Sequence, residues 1–169
     1  MTLSTNTIEI SVEINGETYV ESVPVRMHAA DYLRHVRGLT GTHVGCEQGI
    51  CGMCTVEIDS VPVKSCLMLA VQLDGASVRT VEGMSPAGTL SDLQIAFSEK
   101  HALQCGFCTP GFLMVARALE TRKTMPSRDE IAEEISGVIC RCTGYDGIIN
   151  AIETHLEQHF SHVERAGKR

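Results

Sequence analysis

Gly45-Cys46-Glu47-Gln48-Gly49-Ile50-Cys51-Gly52-Met53-Cys54 packs three cysteines and three glycines into ten residues, and Cys66 follows after a gap of eleven. Glycine at that density cannot sustain a helix or a strand interior, so residues 41–53 read as a loop. Its flanks read as regular structure. Upstream, Thr7 to Ile14 alternates, with Ile8, Ile10, Val12 and Ile14 on one face, the pattern of a half-buried strand. Asn15-Gly16 signals a two-residue type I′ hairpin, and Thr18 to Val23 is the returning strand. Ala29 to Arg37 carries Leu33 and Val36 at helical spacing, with Gly38 placed to end the helix. Downstream, Thr55 to Ile58 and Val61 to Ser65 are short strands around Asp59-Ser60, and Val78 to Val81 is a last strand. The first half is therefore strands crossed by one helix, around a cysteine-bearing loop.

Cys46-x4-Cys51-x2-Cys54 followed by Cys66 is the plant-type order of [2Fe–2S] ligands with a shortened last gap. One loop wrapped around a compact two-iron rhomb supplies three thiolates, and the fourth must return from a neighbouring strand. The oxidised core with four thiolates is formally dianionic, so backbone N–H groups have to stabilise it. Gly45, Gly49 and Gly52 remove Cβ atoms and let amides approach the sulfurs. The rival is structural zinc, which takes cysteines as two pairs at spacings of two to four. Three cysteines bunched in one loop fit that less well.

Composition changes at Glu82-Gly83-Met84-Ser85-Pro86-Ala87-Gly88, a linker by its Gly, Pro and Ser content. It divides the chain into domains over 1–82 and 83–169. Beyond it the periodicity is helical. Leu90 to Lys100 is one segment. Thr109-Pro110 opens another, with Thr109 as N-cap and Pro110 at the first helical position, running to about Arg122. Ser127-Arg128-Asp129-Glu130 is a capping box that starts a helix with Ile131 and Ile135 inward. A final helix from about Tyr145 places Ile148, Ile149, Ile152 and Leu156 on one face. Cys105-x2-Cys108 lies just before the Thr109 helix, whose terminal amides suit an anionic centre. Cys140-x-Cys142, separated from Cys108 by 31 residues, points to one side if extended. Spacing alone leaves zinc and iron–sulfur equally open for this second group. Each half has four cysteines in unrelated patterns, so the halves are not a duplication.

The remaining composition narrows the functions. A net charge of −7 suits neither nucleic acid nor an anionic membrane. Aromatics are 4% and Trp is absent, too few for a stacking surface. No apolar stretch approaches the roughly 18 residues of a membrane span. Met1 to Asn6 lacks the features of an export signal, so a cytoplasmic location with reduced thiols is expected. Eight cysteines in 169 residues also fall below the roughly 8–10% of secreted disulfide scaffolds. No Ser/His/Asp arrangement, phosphate loop or dinucleotide fingerprint is present, so the chain is not a self-contained catalyst. His155, His159 and His162 have helical metal-ligand spacing but read better as a solvated terminal helix. His28, His35, His43 and His101 read as surface or local hydrogen-bonding residues, Met68 and Met114 as core fillers, and Glu133-Glu134 as a wet helix face.

Three longer stretches carry a resemblance. Gly45 to Val56 resembles the first signature of the iron–sulfur small subunits of molybdenum hydroxylases, the xanthine dehydrogenase family in its separate-subunit form. Gln104-Cys105-Gly106-Phe107-Cys108-Thr109-Pro110-Gly111 resembles the second, and Cys140-Arg141-Cys142-Thr143-Gly144-Tyr145 the third. The order is the family's, over about Thr7 to Leu156, and the chain looks most like the bacterial N-heteroaromatic hydroxylases of quinoline 2-oxidoreductase type. The resemblance implies an α+β chain: an N-terminal β-grasp plant-type ferredoxin domain, then an all-α four-helix [2Fe–2S]-binding domain. It implies Cys46, Cys51, Cys54 and Cys66 as ligands of one cluster, and Cys105, Cys108, Cys140 and Cys142 of the other. Gly45, Gly49, Gly52 and Gly106 would shape the cofactor loops, Gln104 would hydrogen-bond a pterin, and Cys142 would face it. The implied partners are a large subunit holding molybdopterin in its cytosine dinucleotide form and a medium subunit holding FAD, assembled as a dimer of heterotrimers. Electrons would run singly from molybdenum through the helical-domain cluster and the ferredoxin-domain cluster to FAD. Neither nucleic acid nor a membrane span enters this expectation. One departure is visible: the family often has Asn two residues before Cys140, where this chain has Val138.

Overall fold

In the computed structural model, which describes residues 6–85 and 88–166, the described strands form one mixed sheet. β1 (Thr7–Ile14) and β2 (Glu17–Pro24) pair antiparallel in full register, from Thr7 opposite Pro24 to Ile14 opposite Glu17. Asn15 and Gly16 close this hairpin with φ of 53° and 90°, the two positive values that a type I′ turn requires. β3 (Thr55–Ile58) and β4 (Val61–Lys64) form a second hairpin around Asp59 and Ser60, and β5 (Ser77–Arg79) joins the two. The sheet order is β2-β1-β5-β3-β4, with β5 parallel to β1 and antiparallel to β3. Ile10, Val12 and Ile14 enter the core beneath it, while Ile8, on the same face, is half exposed beyond its edge.

The crossing helix departs from expectation. After one α turn, α1 (Ala29–Asp31), the chain widens into a π-helical segment over Tyr32–Val36, and the Arg37 amide donates to the Tyr32 carbonyl. The wider turn changes which residues face inward. Tyr32 and Leu33 are fully buried, whereas Val36 is 45% exposed. Gly38 follows at φ 71° and ends the segment as expected.

The junction is more ordered than its composition suggests. β5 stops at Arg79, two residues short of the expected Val81, because Val81–Met84 turns into a 3-10 helix. Met84 is buried in the helical half's core. Asn15 exchanges hydrogen bonds with both the amide and the hydroxyl of Thr80 (2.9 and 3.0 Å), tying the hairpin turn to this crossover. Pro86 and Ala87 of the linker lie outside the described residues.

Beyond the junction stand α2 (Asp92–Glu99), α3 (Thr109–Leu119), α4 (Arg128–Ile135) and α5 (Asp146–Ala166). Reciprocal capping boxes start α2, at Ser91 and Gln94, and α4, at Ser127 and Glu130. Phe97, Phe112, Leu113, Ile131, Ile135, Ile148, Ile152 and Leu156 fill a core separate from that of the sheet. Burial of each such side chain contributes about 1.5–3 kcal/mol. Among the described residues no helix is long and apolar enough to cross a membrane.

Candidate metal centres

All eight cysteines are free thiols, and they gather in two places. The first is the loop between the π segment and β3. There the Cys51 amide donates to the Cys46 sulfur at 3.3 Å. Amides of Cys51, Gln48 and Ile50 stabilise the thiolate, and the largest of these effects, from Cys51, helps lower the Cys46 thiol to about 6. Cys66 returns on a 3-10 turn, Ser65–Leu67, immediately after β4. The Ser65 hydroxyl donates to the Cys54 carbonyl at 2.8 Å and Thr55 Oγ1 to the Gly52 carbonyl at 2.6 Å, locking loop to strand. Cys54 and Cys66 lie side by side, and burial pushes the Cys54 thiol up to about 11.

The loop glycines do more than admit amides. A Cβ on Gly45 would sit 2.8 Å from Met53 Sδ and 3.1 Å from Cys51 Sγ. One on Gly52, at φ 71°, would meet the Gly137 carbonyl oxygen at 2.2 Å. Gly52 therefore lets the second half's backbone pass directly beneath the first loop.

The second gathering lies at the mouth of α3. Cys108 itself is the N-cap of α3. Thr109 was the expected cap; it falls instead in the first helical turn, and its buried Oγ1 has no hydrogen-bond partner. The shift leaves α3 without a side-chain cap bond, with a cysteine rather than a threonine at the N-cap position. Cys108 and Cys140 lie together in the interior, and burial pushes Cys108 up to about 12. Burial also works to raise Cys140. The Thr143 hydroxyl (3.2 Å), together with the Thr143 and Cys142 amides (3.4 Å each), donates to its sulfur and lowers it on balance. The Tyr145 hydroxyl accepts the Cys140 N–H at 3.0 Å. The outer pair, Cys105 and Cys142, is exposed, with sulfurs 3.6 Å apart. Their mutual contact raises Cys142. Gln104 and Leu103 are exposed beside them, and Gly106 turns the loop at φ 80°. Val138, where the family often has Asn, is buried in the helical core.

The Cys51 thiol also hydrogen-bonds the Cys46 sulfur, so the sulfurs form four couples: Cys46 with Cys51, Cys54 with Cys66, Cys105 with Cys142, and Cys108 with Cys140. Among the described residues no three His, Cys, Asp or Glu side chains are placed to hold a single ion. Couples, rather than one tetrahedron, suit a core with two irons that takes four thiolates in all. They fit a mononuclear zinc site poorly.

The chain matches the family described as "2Fe-2S iron-sulfur cluster binding domain" over residues 12–80 and that described as "[2Fe-2S] binding domain" over residues 80–153. It is 53% identical to caffeine dehydrogenase subunit gamma of a Pseudomonas species, covering 86% of this chain and 89% of that one. It is also 51% identical to the nicotine 6-hydroxylase small subunit of Paenarthrobacter nicotinovorans, over 86% and 87% of the two chains. The solved structure of quinoline 2-oxidoreductase from Pseudomonas putida 86 superposes with a TM-score of 0.88 at 52% identity, covering 92% of this chain and 97% of that one. The chain belongs to the iron–sulfur small subunits of the molybdenum hydroxylases. It is an electron-transfer component of an oxidoreductase assembled from more than one subunit, with an α+β build that joins a plant-type ferredoxin domain to a second [2Fe–2S]-binding domain.

Several supports of this iron–sulfur subunit escaped sequence reasoning. Lys64 Nζ reaches the Gly49 carbonyl at 2.9 Å, and His28 Nδ1 lies 2.9 Å from the Cys66 carbonyl. Thr143 and Tyr145 stood in a quoted motif, but no spacing rule assigns them to a sulfur and an amide. His155, expected in a solvated helix, is only 8% exposed and sits 2.9 Å from the Glu120 carboxylate. It adjoins Leu156 on the buried stripe of α5, which explains the burial. His162 is exposed, and Glu133 and Glu134 are exposed as expected.

Proposed function

We propose that Cys46, Cys51, Cys54 and Cys66 hold one [2Fe–2S] cluster and Cys105, Cys108, Cys140 and Cys142 the other. The observation that carries this is the set of four thiol couples, two to each half. When bound, each cluster accepts and releases one electron at a time, so the pair relays electrons between a molybdopterin site in a large partner subunit and FAD in a medium one. The chain's own contribution is to hold four sulfurs at each site and to direct amides and hydroxyls at them. Gly45, Gly49, Gly52 and Gly106 shape those loops. The division falls at 82/83, between a β-grasp unit and a four-helix unit, each around its own apolar core.

Cys142 and Gln104 are both exposed, Cys142 touches Cys105, the residue after Gln104, and the two suit contact with the pterin, in its cytosine dinucleotide form. Relatives named for caffeine, nicotine and quinoline support an N-heteroaromatic substrate for the complex. A dimer of heterotrimers in the cytoplasm, where thiols stay reduced, completes the reading. The test is anaerobic purification of the native complex, metal and flavin analysis, and EPR after dithionite reduction. Two distinct S = ½ signals and four irons per small subunit, with molybdenum and FAD present, are expected. Stoichiometric zinc without either signal overturns the assignment.

A further inference from the structure

The two thiol cages are not merely on the same chain; their loops are interlocked, and one residue grips both. His43 precedes Cys46 by three positions, and Phe107 lies between Cys105 and Cys108. The two rings stack with centroids 4.7 Å apart and planes 10° from parallel. His43 Nδ1 also lies 2.8 Å from the Phe107 carbonyl oxygen. A carbonyl only accepts, so Nδ1 carries the proton and donates. The same imidazole therefore holds the second loop by its side chain and by its backbone. The sequence reads His43 as a surface or local hydrogen-bonding residue; its hydrogen bond is not local, since its partner is 64 residues away.

The interlock has a second, backbone strand. The Ile139 amide, next to Cys140, donates to the Cys51 carbonyl at 2.9 Å. Gly52 clears the way for Gly137, and Gly111 of α3 lies so near the Gly52 carbonyl that a Cβ there would approach to 2.6 Å. The Phe107 ring reaches Gly45 on the other side, 3.6 Å from where a Cβ would stand. Each cage thus contributes residues interleaved with its own cysteines to the contact with the other. Phe107 is 44% exposed, so burial of its ring does not explain its placement. Stacking on His43 does.

We propose that His43 is a positioning residue that sets the registration of the two thiol cages. The ring fixes the Cys105–Cys108 loop laterally, and the Nδ1 proton fixes its depth. The separation between the redox centres is then a property of side-chain and backbone contacts at the loops, rather than of the linker. Electron transfer over a set distance requires such a constraint, because two halves joined only by a linker would sample a range of separations. The proposal rests on the two-cluster reading; failure of that reading would show as fewer than four irons per wild-type chain, which the experiment below measures separately.

The experiment compares wild type, His43→Ala and His43→Phe in the purified complex. Pulsed EPR of the fully reduced protein reads the distribution of distances between the two centres, and iron is counted in each sample. Wild type should give one narrow distribution. His43→Ala should broaden it with four irons retained, and His43→Phe, which keeps the stack and loses the donor, should broaden it less. Amide exchange across the peptide holding Ile139, read in the same purified complexes by mass spectrometry, should accelerate in the same order. A distribution in His43→Ala as narrow as wild type, with Ile139 exchange unchanged, overturns the proposal. If His43→Ala does not assemble, His43→Phe decides: a width equal to wild type overturns the donor's role, and a broader one supports it.

Discussion

In the Cys46–Cys66 cage three of four thiols are buried, whereas in the Cys105–Cys142 cage the inner couple is buried and the outer couple, Cys105 and Cys142, is exposed. The two are also built differently. The first is one glycine-rich loop closed by a short turn after β4, and its charge stabilisation comes from amides of that same loop. The second joins two loops at the N-terminus of α3, and its donors are a hydroxyl and amides from Thr143 and Cys142. Local sequence therefore supplies three of the first cage's thiols and the amides that stabilise Cys46, while the second depends on α3 and the start of α5 being packed together. The open face belongs to the cage that depends on tertiary packing.

The largest test of that contrast compares two glycines, both at positive φ. Gly52→Ala at φ 71° drives a methyl into the Gly137 carbonyl, 2.2 Å away, whereas Gly106→Ala at φ 80° meets nothing within 4 Å. Left-handed strain alone costs about 1–2 kcal/mol. Gly106→Ala should lose about that much, with its iron retained. Gly52→Ala should lose more than ~2 kcal/mol and release iron from both halves. Thermal unfolding with parallel iron analysis checks both, and equal losses would show that the cages are not pressed together at Gly52.

A smaller effect distinguishes thiols within and between cages. The thiolate is the reactive form. In the metal-free chain Cys46, held near 6, should alkylate first, with a midpoint near that pH. Cys54 and Cys108, raised by burial to about 11 and about 12, should stay protonated and resist at neutral pH. Brief iodoacetamide treatment across a pH series, read by peptide mass spectrometry, gives the order. Reaction of Cys108 before Cys46 would break the comparison.

The smallest effect is confined to the helical half. The Ser127 amide and hydroxyl hold the Glu130 carboxyl below its ordinary value. A depressed folded pKa adds stability above the unfolded value of about 4.3, and that increment is lost as pH falls through the lower folded value. Glu130→Gln should therefore be less stable than wild type at neutral pH, with the difference vanishing in acid. Denaturation midpoints between pH 2 and 7 measure it, and a constant offset would show that the carboxyl's charge plays no part.

Much of the fold was legible because its signals are local. Asn15-Gly16, the alternation of Ile10, Val12 and Ile14, and the Ser127 capping box each act within a few residues. The π segment was not legible, because the i to i+5 hydrogen bond from the Arg37 amide to the Tyr32 carbonyl follows from no residue propensity. Thr109 was misplaced as a cap because the helix starts one residue earlier, with Cys108 as its N-cap and no side-chain cap bond to signal it. His155 was misread because α5 keeps its buried stripe further along than its polar residues suggest.

Sequence by itself determined the cysteine order, the glycine spacing between the cysteines and the helical second half, and from these the family and its two candidate centres. All are matters of which residues stand a few positions apart, and the chain's covalent geometry carries that information. Tertiary structure alone decided which sulfurs form couples, which couple is open, that Gly52 makes room for Gly137, and that His43 meets Phe107. Apart from Cys46 with Cys51 and Cys54 with Cys66, those contacts join residues dozens of positions apart, and only tertiary packing brings them within reach.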